Sequence, residues 1–164
     1  MRRCPKPRRP SSPWRRNTPR GIADGHLVRA VVDVNVLISG VLSANGSSAE
    51  ILRASRDGQS ELVLSELLLA ELERALPYPK LRKRIAPEKA GAFANWVRDH
   101  GSLAEDPASP PPVGSRDPDD DYLLALAIDR RAYLVTGDKD LLVLSHNLPI
   151  LTPAQFATKL RETS

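Results

Sequence analysis

The sequence has little cysteine and few aromatic residues, and these shortages exclude several classes of protein. Cys4 is the only cysteine among 164 residues, so no disulfide can form within the chain. With only three histidines beside it, a zinc site of the Cys/His type is excluded as well. The longest apolar runs, residues 67–70 and 122–128, are far shorter than the roughly 20 residues of a transmembrane helix. Any metal site in this chain must therefore be built from carboxylates.

The net charge of +4 is unevenly distributed along the chain. Residues 1–27 contain eight basic residues and one acidic residue, so the remainder of the chain carries a net charge of −3. This first segment also holds five of the fifteen prolines and lacks an apolar signal-peptide core. We therefore predict a disordered basic tail over residues 1–27, or a mis-assigned start, and a cytoplasmic location. Residues 28–164 are predicted to form one domain.

Short apolar segments alternate with helical segments over residues 28–164. Strands are predicted at residues 29–33, 61–64, 102–105, 133–136 and 149–151. Helices are predicted at 47–56, 65–76, 87–101, 117–131 and 153–161, with a short helical turn at 141–144. Strands separated by helices favour a parallel sheet that is covered on both faces. The predicted fold class is therefore α/β, with sites beyond the carboxyl ends of the strands.

Acidic residues occur at the predicted strand ends. Asp33 directly follows the first strand, and Asp138 follows the strand over 133–136 through a glycine. Either residue alone also fits a turn or a helix cap. Glu71 has apolar helical neighbours in Leu67, Leu68 and Ala75, so it interrupts an apolar face or lies at its edge.

Four acidic residues lie within five positions at the start of the helix predicted over 117–131. Capping and the helix dipole account for some of them. Asp120 shares a helical face with Leu124 and Ala127, which favours it for a position near the strand ends. Carboxylates gathered at one edge of a sheet need a compensating cation, and Mg²⁺ and Mn²⁺ prefer oxygen ligands. Such a site can support the hydrolysis of phosphodiester bonds.

The ordered acids resemble those of a known family. The segments that carry the resemblance are Val31-Val32-Asp33-Val34-Asn35, Ser65 to Glu71, Arg116-Asp117-Pro118-Asp119-Asp120-Asp121 and Thr136-Gly137-Asp138-Lys139-Asp140-Leu141-Leu142. Over about residues 28–158 the chain is similar to the PIN domain, and in particular to the VapC-like toxins of bacterial toxin–antitoxin pairs. The resemblance implies a three-layer α/β/α sandwich with a central parallel sheet and an acidic pocket that binds Mg²⁺ or Mn²⁺ and cleaves RNA.

Carried over position by position, the resemblance assigns both catalysis and metal binding to Asp33, Glu71, Asp120 and Asp138. Asp117 and Asp121 remain alternatives to Asp120 as the third acid. Asn35 and Thr136 occupy positions where the family often has polar residues that support the acids.

Two hypotheses for the function follow. The first is a metal-dependent endoribonuclease, the toxin of a toxin–antitoxin pair, with RNA as substrate, a cognate antitoxin as partner and a homodimer as an open possibility. The second is a non-catalytic PIN-like module that binds RNA or protein. The complete set of acids favours the first hypothesis, because a pure binder has no need of acids that weaken phosphate binding.

Overall fold

The computed structural model describes residues 28–111, 114–115 and 118–163. The tail predicted over residues 1–27 lies outside the described residues, as does Asp117. The strands are β1 (Val28–Val32), β2 (Ser60–Leu64), β3 (Ser102–Leu103), β4 (Tyr133–Val135) and β5 (Ile150–Leu151). The helices are α1 (Val34–Leu42), α2 (Ser47–Arg56), α3 (Glu66–Ala75), α4 (Pro79–Arg82), α5 (Pro87–His100), α6 (Asp121–Arg130), α7 (Lys139–Leu142) and α8 (Pro153–Thr163).

The five strands form one parallel sheet in the order β3-β2-β1-β4-β5. Helices cover both faces, so the predicted α/β/α sandwich with a central parallel sheet is confirmed. The chain runs from β1 outward to β2 and β3, and then returns to the other side of β1 with β4. The strand order therefore reverses between β1 and β4, and a crevice forms beyond the carboxyl ends of strands at such a switch point.

Burial of the sheet explains why its strands are almost continuously apolar. Val31, Val32, Leu134 and Val135 have no exposed surface, because helices pack on both sides of them. Arg29 is the exposed member of β1, and its guanidinium forms a salt bridge with Glu61 at 2.8 Å on the paired strand β2. The core is one contiguous apolar cluster, which fixes β1 and β4 side by side.

Two helices were not predicted from the sequence. α1 (Val34–Leu42) begins directly after β1, with Asp33 as its N-cap. α4 (Pro79–Arg82) occupies the segment after Pro77, where the prolines predict only the end of the preceding helix. The helix predicted to start at Asp117 instead begins as a 3₁₀ turn over Pro118–Asp120 and continues as α6 from Asp121.

One glycine has a clear packing role. A Cβ atom on Gly101 would lie 2.2 Å from Cδ1 of Leu64, so only glycine lets α5 turn into β3 against the buried strand β2.

In the part of the chain described, no helix is long and apolar enough to cross a membrane.

Candidate active site

Asp33 lies at the carboxyl end of β1, at the switch point of the sheet. Its backbone N–H donates to the carbonyl of Val135 at 3.0 Å, which fastens the end of β1 to the end of β4. Its side chain is 8% exposed and accepts a hydrogen bond from the backbone N–H of Asn35 at 3.3 Å. A carboxylate this deeply buried is costly unless it is hydrogen-bonded or paired with a cation.

Thr136 connects Asp33 with Asp138. The Thr136 hydroxyl donates to Oδ2 of Asp33 at 2.8 Å, and the same hydroxyl oxygen accepts from the backbone N–H of Asp138 at 3.0 Å. Thr136 has no exposed surface, so this hydroxyl is fixed within the protein. The expectation that Thr136 supports the acids agrees with these contacts, whereas Asn35 contributes its backbone N–H and its residue is exposed.

Asp138 caps α7, and its Oδ1 accepts from the backbone N–H of Asp140 at 2.9 Å. Burial raises the pKa of Asp33, and the nearby negative charge of Asp138 raises it further, while the Thr136 hydroxyl and the Asn35 N–H oppose the shift. The two carboxylates therefore lie close enough to repel each other. A cation between them would relieve both the repulsion and the burial cost.

Glu71 lies on α3 and is held by Tyr122. The Tyr122 hydroxyl donates a hydrogen bond to Oε2 of Glu71, which joins α3 to the first turn of α6. Leu67 is 50% exposed and Leu68 is fully buried, so Glu71 lies at the edge of the buried face of α3. The sequence left open whether Glu71 interrupts that face or borders it, and the structure shows that it borders it.

Tyr122 lies among three of the predicted acids. Burial raises its pKa well above the usual range of a phenol, and the hydrogen bond to Glu71 and the negative charges of Glu71, Asp33 and Asp120 raise it further. The phenol therefore stays neutral and remains a hydrogen-bond donor. Tyr122 was not predicted from the sequence to be a functional residue. The available signal was a hydroxyl within the otherwise aliphatic run 122–128.

The acids at the start of α6 differ in their surroundings. Asp121 accepts hydrogen bonds from the backbone N–H of Ser115 at 2.7 Å and from its hydroxyl at 2.8 Å, so it anchors the segment before the helix. Asp120 ends the 3₁₀ turn, and its charge acts on Tyr122. These contacts favour Asp120 over Asp121 as the third acid, and Asp117 lies outside the described residues.

The donor set suits a hard cation, and the geometry limits how the cation would be held. Among the described residues, no three Asp, Glu, His or Cys side chains lie close enough together to hold one metal ion. The structure does bring Asp33 and Asp138 together. Mg²⁺ is commonly bound through one or two carboxylates, with water and substrate phosphate as its other ligands. The residues present therefore fit Mg²⁺ or Mn²⁺ at the Asp33–Asp138 pair.

We expect Tyr122→Phe to lower the free energy of unfolding by about 1–2 kcal/mol, because a half-buried carboxylate loses its donor. The matched control is Tyr78→Phe, which removes the same hydroxyl from an exposed ring. Urea unfolding of Tyr122→Phe, Glu71→Gln and the double variant measures the coupling between the two side chains. Strictly additive effects would contradict a hydrogen bond between Tyr122 and Glu71.

The chain is similar to known proteins in both sequence and fold. A sequence model of the PIN domain matches residues 29–140. The uncharacterized protein MJ1680 of Methanocaldococcus jannaschii is 30% identical over 139 residues, which cover 79% of this chain and 89% of that protein. The crystal structure of PAE2754 from Pyrobaculum aerophilum has a similar fold, with a TM-score of 0.59 over 93% of this chain and 97% of that chain at 15% sequence identity.

Proposed function

Because this chain belongs to the PIN domain family, whose members are typically metal-dependent nucleases, we propose that it is an endoribonuclease dependent on Mg²⁺ or Mn²⁺. The observation that supports this proposal best is the Asp33–Thr136–Asp138 arrangement at the switch point of the sheet. There the buried Thr136 hydroxyl donates to the Asp33 carboxylate and accepts from the backbone N–H of Asp138. Tyr122 is hydrogen-bonded to Glu71 and is affected by the charges of Asp33 and Asp120.

In this proposal Asp33 and Asp138 hold the metal ion. A bound Mg²⁺ or Mn²⁺ supplies an activated water and neutralises charge on the phosphodiester. Thr136 holds Asp33 in place, and Tyr122 holds Glu71 at the border of the site. Asp120 and Glu71 complete the acidic surroundings, in which they orient water and further ligands. The downstream product of cleavage would carry a 5′-phosphate, as the resemblance to the family implies.

Metal binding provides a test that does not depend on activity. A ligand that binds only the native state raises its stability, by about 2.7 kcal/mol at 100 times the dissociation constant. We therefore expect millimolar Mn²⁺ to raise the melting temperature by several degrees, and calorimetry to detect binding. Asp138→Asn should remove most of the shift, while Asp129→Asn, on the exposed end of α6, should retain it. An unchanged melting temperature together with no binding heat would contradict the metal site.

We further propose that the protein is the cytoplasmic toxin of a toxin–antitoxin pair. An open groove of about 570 Å³ supports a protein partner, because Phe93 and Trp96 contribute to its apolar lining and Arg53, Arg56 and Lys89 also line it. Such a groove suits an apolar segment flanked by acidic residues. Co-expression with the product of the neighbouring reading frame tests this proposal. The expected result is a stable complex and suppressed cleavage, and separate elution with unchanged activity would contradict it.

A further inference from the structure

A short segment between α3 and α5 carries a concentration of positive charge. Four of the five residues at 80–84 are basic, namely Lys80, Arg82, Lys83 and Arg84, and all four are exposed. Together with Tyr78 we call them the 78–84 patch. The domain from residue 28 onward has a net charge of −3, so this local charge runs against that of its surroundings.

The four cations differ from Arg29, Arg56, Arg98 and Arg161, which form ion pairs. Arg161 lies 2.7 Å from Glu50, and Arg98 lies 3.5 Å from Glu73. Within the described residues, none of the side chains of Lys80, Arg82, Lys83 and Arg84 forms a salt bridge or hydrogen bond. Clustered and unpaired cations are typical of a surface that binds an external polyanion.

Tyr78 adds an aromatic surface to the same patch. It is 63% exposed and directly precedes α4, so its ring stands beside the cations instead of entering the core. Proteins that bind single-stranded nucleic acid combine a cationic path for the backbone with aromatic rings on which bases stack. α4 has only four residues, too few for an amphipathic helix that lies on a membrane.

The patch follows closely on the helix that carries Glu71. From Glu71 to Leu76 the chain is helical and rises slowly, and only three residues at most are extended between Leu76 and Pro79. The start of α4 therefore lies within about 20 Å of Glu71. A bound strand of a few nucleotides spans this distance.

We propose that the 78–84 patch binds single-stranded RNA, with its cations on backbone phosphates and Tyr78 stacked on an unpaired base. This inference rests on the proposed ribonuclease function and assigns a substrate-binding surface outside the acidic site. It makes the patch a determinant of RNA affinity, whereas the acids determine cleavage.

The first experiment neutralises the cations in the full-length chain. The test variant changes Lys80, Arg82, Lys83 and Arg84 to Gln, and the matched control changes Arg56, Lys89, Arg130 and Lys159, which are scattered over four helices. Binding of a fluorescent single-stranded oligouridine is measured by anisotropy in EDTA across a salt series. We expect the test variant to bind RNA about tenfold more weakly or worse. The slope of log affinity against log salt concentration (the salt slope) should fall by up to about 3, and both effects should be far smaller in the control.

The second experiment examines the ring. Tyr78→Ala should weaken binding about tenfold without changing the salt slope, because stacking releases no counterions. Tyr78→Phe keeps the ring and should bind like the wild type. At saturating RNA with Mn²⁺, kcat should be unchanged in the test variant and in Tyr78→Ala, and KM should rise in both.

The outcomes separate this inference from the proposed function. Equal affinity and salt slope in the test and control variants, with intact cleavage, would overturn the RNA-binding patch and leave the nuclease. RNA binding that depends on the patch, in a wild type that never cleaves, would support the patch and contradict the nuclease. Binding to vesicles that contain phosphatidylserine is measured for the same variants. If the test variant loses vesicle binding but binds RNA like the wild type, the patch belongs to a membrane-binding surface and the inference is overturned.

Discussion

Asp33→Asn is expected to lower the rate of RNA cleavage by roughly 10³-fold or more while the protein remains folded. The asparagine side chain keeps the shape and one acceptor oxygen for either the Asn35 N–H or the Thr136 hydroxyl, and its amide NH2 can only donate. It removes the negative charge that a metal ion requires. The loss of several kcal/mol of transition-state stabilisation corresponds to a rate change of this size.

The same substitution is expected to leave the metal-free protein equally stable or more stable. The pKa of Asp33 is raised in the folded state, mainly by burial. A carboxyl group with a raised folded-state pKa binds its proton more tightly in the native protein, so stability falls as pH rises from the unfolded value through the folded one. An asparagine side chain never ionises, and the variant should therefore lose this part of the pH dependence.

The measurements are cleavage of a labelled single-stranded RNA with Mn²⁺ and thermal unfolding in EDTA. Asp119→Asn is the matched control, because Asp119 is an exposed acid on the 3₁₀ turn beside Asp120. Cleavage that persists in both Asp33→Asn and EDTA would indicate a nuclease independent of this site. No cleavage of any RNA by the wild type would favour the binding module over the enzyme.

The sequence predicted the sheet and the places of Asp33 and Asp138 at its edge, because these depend on local signals. Buried parallel strands are recognisable as short β-branched runs, and an acid within a few residues after such a run lies near the carboxyl edge of the sheet. Asp33 and Asp138 both satisfied this rule, and the strand order brings them together across β1 and β4. Helix α1 escaped prediction because the segment 34–42 is apolar on nearly all sides, so its helical period could not be read.

The surroundings of the acids could not be predicted, because they depend on contacts between distant segments. Tyr122 and Glu71 are 51 positions apart, and no local pattern joins them. Asp120 and Asp121 are neighbours at a helix start, and only the hydrogen bonds from Ser115 show which one is engaged elsewhere. The 78–84 patch was missed because Pro77 and Pro79 predicted the end of a helix but not the short helix that follows.

Thr136→Val is expected to damage both stability and activity, although Thr136 is not itself an acid. Valine has nearly the same shape as threonine, but it removes the donor to Asp33 and the acceptor for the Asp138 N–H. The buried Asp33 carboxylate and the partly buried Asp138 N–H are then left without that partner. A hydrogen bond to a charged group contributes about 1.5–3 kcal/mol, so we expect a loss of about 2 kcal/mol and a melting temperature lower by about 6 °C.

Activity should fall because Thr136 orients a carboxylate that holds the metal ion in the proposed mechanism. Loss of a partner that positions a metal ligand typically costs 10–100-fold in metal affinity or activity. Thr136→Ser retains the hydroxyl and should restore most of both, which separates the hydrogen bonds from the lost methyl group. Calorimetry with Mn²⁺, at a temperature where all three proteins are folded, measures the affinity directly. Wild-type Mn²⁺ affinity and cleavage in Thr136→Val would show that Asp33 needs no support from Thr136, and the Asp33–Thr136–Asp138 arrangement would then be structural alone.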